Sequence, residues 1–220
     1  MLLTRLQDLI SGIYDVSISH DVYDFLVTDR GRLPAAARSG EADEELLVSE
    51  SAGESDGEVG VSLYLDPELL KRLAIADPMV RLHDGNVADY WTALEGVSHF
   101  LYLAWNAGHD RGVSLLELEL QAEIDKYVSS WWLLRAQDPE RYPAELHRLL
   151  FERSRIDGRL AGERCQLYRE ANHYAARFCR RLERQLSLQA AGRPLEALTE
   201  LRRFYRLSRE RKMTHIQKHG

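Results

Sequence analysis

The stretch from Val87 to Asn106 constrains the fold more than any other part of the chain. Tyr90, Trp91, Leu94, Val97, Phe100, Leu101, Leu103 and Trp105 spread apolar side chains over the whole helical wheel, so a helix here has to be central and buried. Its few polar groups therefore carry weight. At about 100° per residue, Glu95, Ser98, His99 and Tyr102 fall in one narrow stripe, with Glu95 and His99 one turn apart.

A second long helix is expected over 113–136. Glu117, Gln121 and Asp125 share one side of its wheel and read as the solvent stripe, while Glu119 and Glu123 lie opposite, inside an apolar arc of Leu115, Leu116, Leu120, Ala122 and Tyr127. The connection Ala107 to Gly112 is short enough for an antiparallel helical hairpin. Counted outward from its middle, Glu95 comes level with Glu123 and His99 with Glu119. Three carboxylates and an imidazole would then converge between two apolar helices. Buried carboxylates cost several kcal/mol each unless paired or bound to a cation. Three readings follow: a metal such as zinc, manganese or iron held by His99, Glu119 and Glu123 beside Glu95; a network paired through Lys126 or an arginine; or a solvated helix edge.

Around this hairpin the order of elements is sheet first, then helices. Leu2, Leu6, Leu9 and Ile13 predict a short opening helix. Val16, Ile18 and Val22 alternate with polar residues, as do Val59, Val61, Leu63 and Leu65, and Leu46 to Ser49 adds a third strand. Asp66 and Pro67 form a helix start, as N-cap and first helical residue, for a helix through about Ala74. Pro78 ends that segment and His83-Asp84-Gly85-Asn86 is a turn. Further helices are expected over 143–153, 156–187 and 194–214. The expected class is α+β: a small N-terminal antiparallel sheet followed by a larger helical region. Residues 1–65 form the helix and sheet with an acidic loop at 40–58, residues 66–190 the helical core, and residues 191–220 a basic C-terminal helix.

Composition narrows the class. With 220 residues and 45% hydrophobic side chains, the chain can bury a core without disulfides. The longest apolar run, Phe100 to Trp105, is far shorter than the roughly 20 residues that span a bilayer, and Arg5 and Asp8 interrupt any secretion signal. Cys165 and Cys179, on one helix, would stand about 21 Å apart, too far to bridge. A soluble, cytoplasmic protein with no membrane partner is expected. The net charge of −6 is uneven: the loop carries Glu41, Asp43, Glu44, Glu45, Glu50, Glu54, Asp56 and Glu58, and the end carries Arg202, Arg203, Arg206, Arg209, Arg211, Lys212 and Lys218. That basic end suits a solvated face, a contact with the acidic loop, or nucleic-acid phosphates. No phosphate loop, dinucleotide fingerprint, serine elbow or Cys-x-x-Cys pair occurs. Trp131 and Trp132 read as core or pocket lining, and His20, His83, His109 and His147 as surface or capping residues.

Leu94-Glu95-Gly96-Val97-Ser98-His99-Phe100, followed by Glu117 to Asp125, resembles the core of a minimal gluzincin metallopeptidase over about 45 residues. In that family HExxH on one helix gives two histidine ligands and a glutamate general base, and a glutamate from the next helix completes the zinc site. Aligning Glu95 with the base puts Leu94 and Ser98 where the histidines belong and leaves His99 one residue late. The resemblance implies a domain that has lost peptidase chemistry and kept the scaffold for binding. A rearranged metal-dependent hydrolase, with Glu95 as base or ligand and His99 with Glu119 or Glu123 as ligands, stays open. Glu170-Ala171-Asn172-His173 is similar to half of a ferritin-like di-metal motif, although His173 points off the expected core face. Arg209 and His215, six apart, resemble the Arg–His pair of HEPN ribonucleases. The expected function is a binding or regulatory module with a protein partner.

Overall fold

A computed structural model of the chain describes residues 1–38, 40, 42–50, 59–140, 143–152, 162–188 and 195–219. Residues 51–58 of the acidic loop, the start of the helix expected at 156 and the boundary at 190–191 lie outside the described residues.

The chain opens with α1 (Leu2–Tyr14), whose Leu3, Leu6, Ile10 and Ile13 are buried at helical spacing. No strand forms at Val16 to Val22. Asp15 turns into the left-handed region at φ 54° and ends α1, and the side chain of Gln7 takes the place of a strand partner: its Nε2 donates to the carbonyl of His20 and its Oε1 accepts from the amide of Val22. A sheet forms further on, from β1 (Leu26–Val27), β2 (Glu44–Glu50) and β3 (Val59–Leu65), in the order β1-β3-β2. The short helix α2 (Ala35–Arg38) lies between β1 and β2. β2 and β3 are antiparallel, as expected, but β1 pairs parallel to β3, so the sheet is mixed.

The register sets which side chains face the helices. Glu44 stands opposite Leu65 and Leu46 opposite Leu63, on the face where Leu63 and Leu65 are buried. On the other face Tyr64 packs with Leu33 and Ala37 and lies under the guanidinium of Arg30 at 4.1 Å.

Asp66 then caps α3 (Pro67–Ile75), its carboxylate accepting from the amides of Glu68 and Leu69. Such a cap is worth about 1 kcal/mol. Asn86 knots the turn before α4 (Val87–Ala107), donating to the carbonyls of Ala76 and Arg81 and accepting from the amide of His83. α4 and α5 (Leu115–Gln137) form the expected antiparallel hairpin. Helices α6 (Leu146–Phe151), α7 (Glu163–Leu188), α8 (Leu195–Tyr205) and α9 (Arg209–His219) follow. The basic C-terminal helix is therefore two helices. One hydrophobic core runs through the described chain from Leu3 to Ile216. The molecule is α+β, and no described helix is long and apolar enough to cross a membrane.

One sequence expectation fails in α5. Glu117, Gln121 and Asp125, expected at the solvent, are all buried. Glu117 is spent in a capping box with Ser114, whose Oγ accepts from the Glu117 amide while the carboxylate accepts from the Ser114 amide at 2.9 Å. Gln121 and Asp125 lie against residues of α1 and α9. The basic end is likewise not simply solvated. Arg206 donates to the carbonyls of Tyr14 and Asp15, and Arg202 to those of Gly12 and Ile13, so two guanidiniums satisfy the open C-terminal end of α1. His147 is buried rather than superficial, its Nε2 2.9 Å from the carbonyl of Ala176.

Candidate metal centre

The two long helices hold the predicted cluster because each is apolar enough to stay central. Glu95 and His99 project from successive turns of α4, and Glu119 comes from the facing turn of α5. One ligand atom from each of these three residues can be chosen so that all lie within 4.8 Å of one another. His99 Nε2 stands 3.6 Å from Glu119 Oε2, and both side chains are almost fully buried.

The sheet adds a residue that the helical wheel does not contain. Glu44 of β2 places Oε1 3.5 Å from His99 Nδ1. It reaches there because α4 has Gly96 at the crossing: a Cβ on that residue would come within 2.7 Å of Leu63 Cδ1 and 2.9 Å of Glu44 Cγ. The alternation Glu44, Leu46, Val48 carries this signal in the sequence, but a strand started at Leu46 leaves Glu44 in the acidic loop.

Lys126, one turn along α5, joins the acidic pair predicted to face each other. Its Nζ is 2.6 Å from Glu95 Oε2 and 2.8 Å from Glu123 Oε1. Glu123 is thus brought to the same wall of the site but bound to Lys126, outside the group formed by Glu95, His99 and Glu119. From α7, burial together with the nearby charges of Glu119 and Glu95 raises the Tyr168 phenol. Glu170 and His173, the half di-metal motif, are both exposed on α7 and outside the cluster. Trp131 and Trp132 pack edge to face at the rim of the core.

Electrostatics divides the site in two. Burial lowers Lys126, but Glu123 and Glu95 more than reverse this and raise it above the ordinary lysine value. Burial raises Glu95, yet Lys126 and His99 together hold its carboxyl below the usual range. Around His99 the balance differs. Burial disfavours the imidazolium, but Glu119 and Glu44 raise its pKa well above the ordinary value. Glu44 itself is raised, burial outweighing the pull of His99.

The contacts on the two imidazole nitrogens, at 3.5 and 3.6 Å, are longer than the 2.7–3.2 Å or so of a normal hydrogen bond. His99 Nε2 and Glu44 Oε1 are buried without a hydrogen-bond partner. For an ion bound tetrahedrally at about 2.0–2.2 Å, neighbouring ligand atoms stand roughly 3.3–3.6 Å apart. The spacing of His99 Nε2 and Glu119 Oε2 suits a shared cation better than a shared proton.

At the C-terminus, the two residues of the HEPN-like pair are separately engaged. Arg209 is exposed, whereas His215 Nε2 sits 2.5 Å from Glu200 and 3.3 Å from Arg181. Compared with known proteins, the chain matches no family model, no curated protein and no solved structure.

Proposed function

We propose that the chain is a cytoplasmic binding or regulatory protein, built on a degenerate metallopeptidase-like hairpin, that holds one divalent metal ion between Glu95, His99 and Glu119. The observation that carries this is His99 Nε2, buried without a hydrogen-bond partner and 3.6 Å from a carboxylate oxygen that is equally buried. The donor set supports a metal in chemical terms. One imidazole with carboxylates suits zinc, manganese or iron. Glu44, whose Oε1 stands 3.5 Å from Nδ1, is then the carboxylate behind the histidine. Lys126 stands behind Glu95 in the same way, its Nζ 2.6 Å from Oε2. Four carboxylates surround the site against a single lysine, a deficit of positive charge that a divalent ion relieves.

A binding role is favoured over catalysis by the state of Glu95. A general base near neutral pH needs a carboxyl raised toward that range, and Lys126 holds Glu95 the other way. A metal-dependent hydrolase is the second reading, supported by the 22% exposure of the Glu95 side chain, which leaves an ion an outward side where water can bind. The nucleic-acid and ribonuclease readings draw less support, since Arg202 and Arg206 hold carbonyls of α1 and His215 is paired with Glu200.

Elemental analysis of tag-free protein purified without chelators tests the proposal. About one zinc, manganese or iron per chain is expected, absent from the Glu95→Ala, His99→Ala double variant. Protein that carries no metal, and takes up none when zinc, manganese and ferrous iron are supplied, overturns it. Hydrolase assays on the metal-loaded protein separate the two readings.

A further inference from the structure

On the other side of α5 from the metal cluster, polar groups are buried that the proposed function does not use. Asp125 accepts hydrogen bonds from the Tyr14 hydroxyl at 2.5 Å, Ser98 Oγ at 2.6 Å and Gln121 Nε2 at 2.8 Å. The other end of the Gln121 amide accepts from Lys212 Nζ at 2.8 Å. Lys212 belongs to α9, and its exposure is 0%.

The chamber around Lys212 is unusual for an ammonium. Among the described residues its hydrogen-bond partner is a neutral amide, and no carboxylate lies within ion-pair distance of it. The remaining neighbours are aromatic: the rings of Tyr102, Phe204 and Tyr205 lie 4.5, 4.9 and 5.8 Å from Nζ. Ring faces return part of the hydration energy to a cation. They do not replace the water that three ammonium N–H groups bind, and one acceptor stands in its place. A neutral amine fits this chamber better than a charged one.

We propose that α9 is a pH-sensitive latch, docked on the back of the α4–α5 hairpin through Lys212 and gated by the charge on that side chain. The titratable and charged groups facing it are Tyr102 of α4, Glu117 and Asp125 of α5 and Tyr205 of α8, while on α9 itself His215 is held by Arg181 of α7 and Glu200 of α8. Burial lowers Lys212 to about 7, against the opposing pull of Glu117 and Asp125. Burial raises Asp125 to about 6 and also raises the Tyr14, Tyr102, Tyr205 and Cys179 groups, which keeps those four neutral in this range.

The direction of the switch follows from these shifts. A released Lys212 titrates near about 10.4, so the docked state binds fewer protons between pH 7 and that value, and docking tightens as pH rises through this window. Below pH 7 both states carry the charge and the lysine adds no further slope. Asp125 works oppositely on the acid side: the fold binds its proton more strongly, and that advantage is lost as pH rises from about 3.8 to 6. Asp125 keeps its partners on α1, α4 and α5 whether or not α9 is docked, so the pH dependence of docking follows Lys212 and strengthens on the alkaline side of about pH 7.

The chain has four lysines, Lys71, Lys126, Lys212 and Lys218, so ε-carbon NMR of the full-length protein gives a short spectrum to titrate. One signal is expected to titrate near neutrality and to vanish in Lys212→Met. Hydrogen exchange corrected for intrinsic rates should show protection of α9, relative to α4, rising about fivefold from pH 7 to 8, with no such rise in Lys212→Met. If that variant does not fold, the wild-type titration and exchange slope decide the matter. Four lysines that all stay charged past pH 9, or α9 protection that ignores pH, would overturn the latch.

Discussion

Oε1 of Glu44, at the start of an edge strand, lies 3.5 Å from Nδ1 of His99 in the middle of α4. The strand thus adds a carboxylate to the helical cluster. Glu44→Gln keeps the size of the side chain and removes the charge. It should weaken metal binding by about 10- to 100-fold without abolishing it, as expected of a group one shell behind a ligand. Competition titration against a metallochromic chelator measures this; a complete loss would make Glu44 a ligand, and no change would make it a bystander.

Gly96 permits that approach. Gly96→Ala should improve helix propensity by about 1 kcal/mol, but its methyl would meet Leu63 Cδ1 and Glu44 Cγ below 3.0 Å. Overpacking of this kind costs about 1–3 kcal/mol, so urea denaturation should show equal or lower stability, together with weaker metal binding as β2 shifts off α4.

Lys126→Met leaves Glu95 and Glu123 facing each other without their cation. Removing one partner of a buried ion pair costs about 3–5 kcal/mol; both acids keep about a fifth of their side-chain surface, which puts the expected loss near about 3 kcal/mol or below. Saturating zinc or manganese should restore part of it. Thermal unfolding with and without metal checks both parts.

Asp125→Asn tests the opposite face of α5. The native carboxyl, raised to about 6, contributes stability below about pH 3.8 that fades as pH climbs to 6, a swing of roughly 3 kcal/mol at most. The wild type should lose stability across this interval relative to Asp125→Asn. Parallel pH profiles of the two proteins would contradict the burial of a titrating Asp125.

Much of this architecture is legible in the sequence. An apolar wheel at Val87 to Asn106, the Asp66-Pro67 start signal and the alternation through Leu65 each correspond to an observed element. The convergence of Glu95, His99 and Glu119 follows from helical spacing plus a short connection. The failures share a cause. A wheel ranks the faces of a helix against one partner, and α5 has partners on both sides: Glu119 and Lys126 face α4 in one direction, Gln121 and Asp125 face α1 and α9 in the other. Lys212 was concealed in a run of exposed arginines, and Glu44 in a run of acids. In both cases local composition pointed to solvent, and a tertiary contact from a distant element overrode it.

X-ray absorption spectroscopy of the protein loaded with one equivalent of zinc tests a site of one histidine and carboxylates. A shell of nitrogen and oxygen atoms at about 2.0–2.1 Å is expected, with the scattering of a single imidazole and no sulfur. A sulfur shell, two or more imidazoles, or zinc that washes off on a desalting column would contradict it.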